Sequence, residues 1–326
     1  MYMFKWYLFG LGVRMDKKIL ILIFVFASLI FISSCEYYPS GQTEKVVGTR
    51  GLTLELQRSS MADRIFEGEP FFILLRMRNE GAIDIENGVL FVSADPHVFS
   101  ITNKEEYEYY NLRGDDGIFR GDEIVTQISL QSKESSRAGV TGFDSPITIN
   151  ACYEYGTFFQ DTFCIDTDLA NQHRDKPCQM SSLSGSRGQG APVVINEIRP
   201  RAIMGTEGVR ITFDIYMYNS GTGNVLRSGS SESVCKGEFS SDDMGLVRIS
   251  EIKLSTYRLS EGDFVCERHT ENFNEFDLHG NQEFMSCRLV EELDFSLGTF
   301  STPITIELDY GYLQTVSTSI HVQKIN

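Results

Sequence analysis

The chain lacks the usual marks of hydrolytic chemistry. None of its five histidines sits in a His-Glu-x-x-His or His-x-His arrangement, and no Gly-x-Ser-x-Gly elbow occurs. Its carboxylate pairs (Glu105-Glu106, Asp115-Asp116, Asp122-Glu123, Asp242-Asp243) are what so acidic a chain contains without any function. It has no Asn-x-Ser/Thr site, so N-glycosylation is not expected. Bases are scarce: 29 Lys and Arg stand against 45 Asp and Glu, a net charge of −16. Residues 1–34 hold Lys5, Arg14, Lys17 and Lys18 against Asp16, so the rest of the chain carries −16 − 3 = −19. That balance repels nucleic acid and anionic headgroups and keeps the surface well solvated. Beyond residue 35 no segment reads as a convincing helix, yet β-branched and aromatic residues are plentiful, which excludes disorder.

One long hydrophobic run is present. Met15-Asp16-Lys17-Lys18 leads into Ile19 to Ile32, followed by Ser33-Ser34-Cys35. Lysines, an apolar run and small residues before a cysteine make a secretory signal, and Ile32-Ser33-Ser34-Cys35 resembles a lipobox, which makes Cys35 the lipidation site. Met15 reads as the true start, with residues 1–13 an extension. A retained single-span anchor is the competing reading, although the run is short of the about 20 residues a crossing helix needs. The positive charges precede the run, so either reading sends the C-terminus outward and tethers the rest to the extracytoplasmic face of the cell membrane. Residues 36–47, polar and holding Pro39 and Gly41, read as the tether.

The remainder repeats internally. Gly68 to Gly81 (GEPFFILLRMRNEG) matches Gly208 to Gly221 (GVRITFDIYMYNSG), with Asn79-Glu80-Gly81 falling on Asn219-Ser220-Gly221. Phe71, Ile73, Leu75 and Met77 correspond to Ile211, Phe213, Ile215 and Met217, a period of two with one face in a core. The Asn-x-Gly suits a turn, because both residues tolerate positive φ. Ser145 to Tyr155 (SPITINACYEY) matches Thr302 to Tyr312 (TPITIELDYGY), and each is followed by a further strand, Phe158 to Ile165 and Gln314 to Val322. The expected fold is all-β: two tandem immunoglobulin-like β-sandwiches after an N-terminal signal or anchor helix. The boundaries are 1–35 for the signal, 36–47 for the tether, 48–168 for the first sandwich, 169–191 for a Ser/Gly-rich linker and 192–326 for the second, which carries an insertion. Gly185-Ser186-Arg187-Gly188-Gln189-Gly190 is too poorly framed to be a phosphate loop, since no strand leads in and no helix follows.

Six cysteines follow Cys35, and an even number in an exported chain implies disulfides. With 145–155 and 158–165 as the arms of a hairpin, Cys152 and Cys164 share a face of adjacent strands, so Cys152–Cys164 is expected. Cys266 and Cys287 lie in strand-like stretches that pair similarly, leaving Cys178–Cys235 by elimination. Cys266, His269, His279 and Cys287 have zinc-like spacing, but disulfide formation competes outside the cell. The loop from Arg113 through Glu123 clusters oxygens of the kind calcium takes, without EF-hand spacing, and a solvated loop is the leading reading. No metal or cofactor is expected. Tyr107, Tyr109 and Tyr110 with Glu105, Glu106 and Glu108 form an aromatic-acidic patch suited to anchoring a partner, or else half-buried strand residues.

Several segments carry a family likeness: Gly48-Thr49-Arg50-Gly51-Leu52, Phe66-Glu67-Gly68-Glu69-Pro70-Phe71, Asn79-Glu80-Gly81-Ala82, Cys152-Tyr153-x-Tyr155-x-Thr157 through Cys164-Ile165-Asp166, Cys178, and Gly188-Gln189-Gly190-Ala191-Pro192-Val193. Together they resemble a group of uncharacterised envelope proteins from archaea, notably small-genome lineages. More distantly each half is similar to CARDB and related immunoglobulin-like modules of prokaryotic surface proteins. The resemblance implies adhesion, spacing or assembly and supplies no catalytic residues. The expected function is a membrane-tethered, non-enzymatic surface module for a protein or glycan partner, or for envelope scaffolding. The rival is a solute-binding lipoprotein, or an accessory subunit of an envelope enzyme or transporter, with a pocket lined by the insertion Ser228 to Asn281.

Overall fold

The two matched segments ending in paired tyrosines become the two longest strands of the molecule, each 25 residues. The computed structural model describes residues 48–57, 64–102, 107–134, 141–172, 175–185, 187–238, 240–267, 274–278 and 283–325. The signal run, Cys35 and the tether therefore lie outside the described residues, as do Glu105, Glu106, His269 and His279.

Strands dominate. The first half of the chain forms β1 (Leu52–Leu56), β2 (Arg64–Phe66), β3 (Pro70–Asn79), β4 (Ile85–Ala94), β5 (Phe99–Ile101), β6 (Tyr107–Leu112), β7 (Glu123–Ser132) and β8 (Gly142–Asp166). The second forms β9 (Leu183–Ser184), β10 (Val193–Met204), β11 (Val209–Asn219), β12 (Asn224–Leu226), β13 (Leu246–Leu254), β14 (Tyr257–Arg258), β15 (Phe264–Glu267), β16 (Glu275–Asp277), β17 (Glu283–Leu289) and β18 (Thr299–Gln323). The α-helix described, α1 (Ser231–Cys235), lies in the insertion.

Three sheets result. A four-stranded sheet runs β1-β3-β7-β5 and a five-stranded sheet runs β15-β17-β11-β10-β9. These are the same arrangement twice: β1, β3, β7 and β5 correspond to β10, β11, β17 and β15. The third sheet has nine strands, with β14-β13-β18-β8-β4-β6 as its path. It contains the counterparts β4 and β13, each paired along the first half of its own long strand, at Ile147–Cys152 and Ile304–Asp309.

The long strands pair with each other along their whole length, residue 166 facing 299 and residue 142 facing 323. The two copies are offset by 157 here (145 to 302, 155 to 312), so Glu154 faces its own counterpart Gly311. A local two-fold relation therefore runs through that pair, as in an isologous dimer. The expected halves thus meet in a shared sheet, and residues 44–326 pack as one unit. Each long strand serves two cores. Ile147, Ile149 and Ala151 of β8 sit with the first copy, whereas Phe163 of the same face meets Phe213 of the second copy at 5.9 Å. Residues 183–185 and Gln189 of the expected linker lie against β10.

This continuity corrects the cysteine pairing. The sequence suggests a hairpin over 145–165, but the segment is one uninterrupted strand. Cys152 and Cys164 stand twelve residues apart along it, about 40 Å at the rise of a β-strand, far beyond the reach of a disulfide. Cys152 instead bonds Cys235 of α1, and Cys164 bonds Cys178, which closes the turn after β8. Cys178–Cys235 is accordingly absent. Cys266 bonds Cys287 across β15 and β17, where the two residues face each other.

At the two-fold centre four tyrosines fill the interior. Tyr153 faces Tyr312 and Tyr155 faces Tyr310, with ring centroids 5.8 and 6.4 Å apart. All four are buried. Burial drives the Tyr153 and Tyr310 hydroxyls far above their ordinary pKa, so they act as neutral donors and acceptors. Their hydroxyls hold the repeated turns. Ile83 N–H donates to Tyr155 at 3.2 Å and Gly223 N–H to Tyr312 at 3.0 Å. Asn79 and Asn219 close the same turns, each Oδ1 accepting from the glycine N–H two residues on at 3.1 Å. Neither Gly81 nor Gly221 has positive φ, contrary to the turn rule applied to the sequence. They are glycines because a Cβ at either position would strike the tyrosine hydroxyl.

Candidate functional site

Inward-facing residues of β11 from Val209 to Met217 are all apolar, so alternation places Thr212, Asp214, Tyr216 and Tyr218 on the outer face of the five-stranded sheet. Register brings Glu197 of β10 and Phe284 of β17 to either side of Tyr216. The Tyr216 and Phe284 rings stack at 5.2 Å with planes 27° apart. Arg199 lies over the other face of Tyr216, its guanidinium carbon 4.2 Å from the ring centre, and donates to the phenol oxygen at 3.0 Å. Glu197 pairs with Arg199 at 2.7 Å. Its hydrogen bond from Arg199 is the main force lowering the Glu197 carboxyl below its ordinary pKa. Beside this row, Arg201 pairs with Asp214 at 2.8 Å, and Asp214 also accepts from Ser286 at 2.5 Å. Phe284 is 45% exposed. The row offers a planar apolar face flanked by fixed donors and acceptors, which suits stacking and hydrogen bonding to a ligand surface. Among the described residues no three His, Cys, Asp or Glu side chains converge as a metal site.

The tyrosine patch separates. Tyr110 points into the core, its buried hydroxyl raised in pKa by desolvation and without a hydrogen-bond partner among the described residues. Tyr107 and Tyr109 point outward, but the insertion meets them. Tyr107 stacks on Phe91 at 5.3 Å. Tyr109 donates to Glu232 at 2.6 Å, and Lys236, 2.5 Å from Glu232, lies near both tyrosine rings. Glu154, the outward residue at the two-fold centre, accepts from Gly229 N–H at 2.9 Å and Ser231 N–H at 3.2 Å. With Cys152–Cys235 this fastens α1 flat against the nine-stranded sheet. The residues sequence reasoning missed, Arg199, Phe284 and Glu154, become visible only once register shows what stands opposite what.

In the acidic loop, Asp115 accepts from Gly117 N–H, Asp116 from Ile118 and Phe119 N–H, and Asp122 from Arg113 N–H, at 2.6–3.0 Å. These bonds fix the loop and leave Ile118 and Phe119 exposed at its tip. Cys266 and Cys287 are consumed by their disulfide and are no zinc ligands. A cleft of about 340 Å³ lies elsewhere, between β1 and the 220–222 turn, away from the insertion expected to line a pocket.

No protein-family model matches the chain, and no curated protein matches it. Solved structures give faint likenesses. A secreted serine protease from Vibrio cholerae aligns at 13% identity and TM-score 0.20, over 80% of this chain and 50% of that one. The C-terminal globular domain of an oligosaccharyltransferase from Pyrococcus abyssi aligns at 9% and 0.17, over 81% and 46%. A tip adhesin from Pseudomonas aeruginosa aligns at 8% and 0.13, over 85% and 97%. The chain spans about half the length of the first two. At these scores none of the three bears on fold or function.

Proposed function

We propose that this chain is a non-enzymatic module tethered through its N-terminal segment to the extracytoplasmic face of a cell membrane, where it binds a protein or glycan partner. Each copy is read as an immunoglobulin-like sandwich, in keeping with the resemblance to archaeal envelope proteins and CARDB-like modules. The three disulfides support an oxidising compartment. The observation that carries the reading is the outward row Arg199–Tyr216–Phe284, because an aromatic stack braced by a guanidinium has the composition of a binding hot spot.

The test is a photo-crosslinking residue introduced at position 284 in cells that make the full chain. A discrete crosslinked envelope species is expected. It should fade when Tyr216→Ala is combined with Arg199→Ala, while ectodomain unfolding still shows one cooperative transition. Crosslinking no stronger than from a control site on the four-stranded sheet, such as position 127, would sink the reading.

A further inference from the structure

The two copies finish the free edge of their first strand differently. In β1, Gly51 accepts from Glu80 N–H and Gln57 N–H donates to Leu74, so the odd residues bond β3 and the even residues turn their backbone outward. In β10, Pro192 accepts from Ser220 N–H, so Val193 and Ile195 turn outward there. Leu52 and Val193 correspond, since they face Asn79 and Asn219. Both outward N–H groups are taken by tyrosine hydroxyls, Leu52 by Tyr153 at 3.1 Å and Val193 by Tyr310 at 3.4 Å.

The next outward pair, Leu54 and Ile195, parts company. The Gln189 amide covers Ile195 in the manner of a neighbouring strand: its Oε1 accepts from Ile195 N–H at 3.0 Å and its Nε2 donates to Ile195 C=O at 3.1 Å. Gly185 N–H then bonds Asn196, and β9 continues the ladder. A two-residue strand of this chain, Leu183–Ser184, and the Gln189 side chain from the turn after it thus occupy the edge of the second copy. At Leu54 the N–H and C=O turn away from β3 and meet no partner among the described residues. They open into the 340 Å³ cleft, with Pro192, Thr222, Tyr312 and Gln314 across from them.

We propose that the β1 edge is a docking site for an extended, largely uncharged segment of a protein partner, which adds to the four-stranded sheet as an extra strand. The occupant's form is argued from the second copy, where strand β9 and the Gln189 amide of the chain itself fill the same edge. Its charge is argued from the lining, which offers hydroxyls, an amide and an aromatic edge. The guanidinium at its rim, Arg50, is already paired with Glu80 at 2.8 Å. An added strand satisfies the backbone groups that an open edge leaves bare. This site is on a different sheet from the Arg199–Tyr216–Phe284 row, and either proposal stands if the other fails.

The probe is a synthetic peptide with the sequence of residues 181–190 (SSLSGSRGQG), added to the full chain. Amide exchange at Leu54 and Leu56 is expected to slow about tenfold or more at saturating peptide, with Thr53 and Glu55, already bonded to β3, unchanged. Leu54→Pro removes the outward donor while sparing the β1–β3 ladder, and proline is tolerated at such edge positions. That variant should keep its cooperative melt and lose peptide binding. Should it not fold, the exchange result on the unaltered chain decides. Unchanged Leu54 and Leu56 amides at millimolar peptide would overturn the proposal. So would amides already protected in the full chain that open only when residues 36–47 are removed, which would make the chain's own leading segment the occupant.

Discussion

The tyrosine hydroxyls at the two-fold centre make their case one atom at a time. Tyr312→Phe strips a partner from Gly223 N–H and one of two from Asn219 Oδ1, and Tyr155→Phe strips one from Ile83 N–H. An unsatisfied donor costs about 1–3 kcal/mol when fully buried, and these two are half-buried, so each loss falls toward about 1 kcal/mol. Both variants should lower the urea midpoint by similar amounts, because in each copy the hydroxyl accepts from the turn N–H and meets the turn asparagine. Gly221→Ala should cost about as much through overpacking against that hydroxyl, and less in a Tyr312→Phe background. Equal cost in both backgrounds would refute the contact. Asp166 supplies a pH handle. Burial opposes its ionisation, but the bonds from Lys176 at 2.6 Å, from Thr299 and from Asp168 N–H outweigh this and hold its carboxyl below the usual range. A lowered folded pKa means the unfolded chain binds the proton first. The contribution is therefore whole above about pH 4, the unfolded carboxyl's range, and lost as pH falls through the lower folded value. The gap in urea midpoint between the unaltered chain and Asp166→Asn should be widest near about pH 7 and close in acid; a gap that persists in acid would count against the ion pair.

Among the elements, the strands were legible and their partners were not. Alternation over Phe71–Met77 and Ile211–Met217 marks which side is core; the burial of β3 follows it residue by residue, and that of β11 departs from it at Asp214, which is covered on the outer face. Tyr155 to Phe158 carries no sign that separates a hairpin turn from unbroken strand. Gly156 invites a turn, yet its neighbours Tyr155 and Thr157 both face inward and continue the same alternation. That local ambiguity alone misplaced Cys152 and Cys164. Arg199 and Phe284 stayed hidden for a related reason: opposite residues across strands are set by register, including the shift between Ile195 and Glu197, which composition does not encode. The corrected Cys152–Cys235 bond predicts what α1 depends on. It spans 83 residues, against 14 for Cys164–Cys178 and 21 for Cys266–Cys287. Replacing Cys152 and Cys235 by serine should cost about 2–4 kcal/mol, the most of the three pairs on loop-closure grounds. Urea unfolding of the three paired variants gives the ranking. Exchange at α1 amides should rise in the first alone, and an unchanged α1 would mean that Glu154 and Lys236 hold it without the bond.

At the scale of the whole molecule, two repeated halves share one nine-stranded sheet rather than following each other as beads. Each half leaves its longest strand bare on one side when the other is removed, a row of unpaired backbone groups with apolar residues along its inner face. Phe163 would lose Phe213, and Ile320 and Val322 would lose the first copy's core beside Ile65. Residues 48–168 made alone should therefore not persist as a folded monomer. The two-fold relation says what they do instead. Since Glu154 faces its own counterpart, β8 can pair with a second β8 about residue 154 and regenerate the same antiparallel register, each Tyr153 meeting Tyr155 of the other copy across the axis. Light scattering on the isolated half should give a dimer, and a spin label at position 160 should lie close to position 148 of the second copy, the mirror positions about 154. A monomer with a cooperative melt would show that the halves are separable domains after all. It would also show that the shared sheet is a late docking of finished parts rather than the structure on which both cores depend.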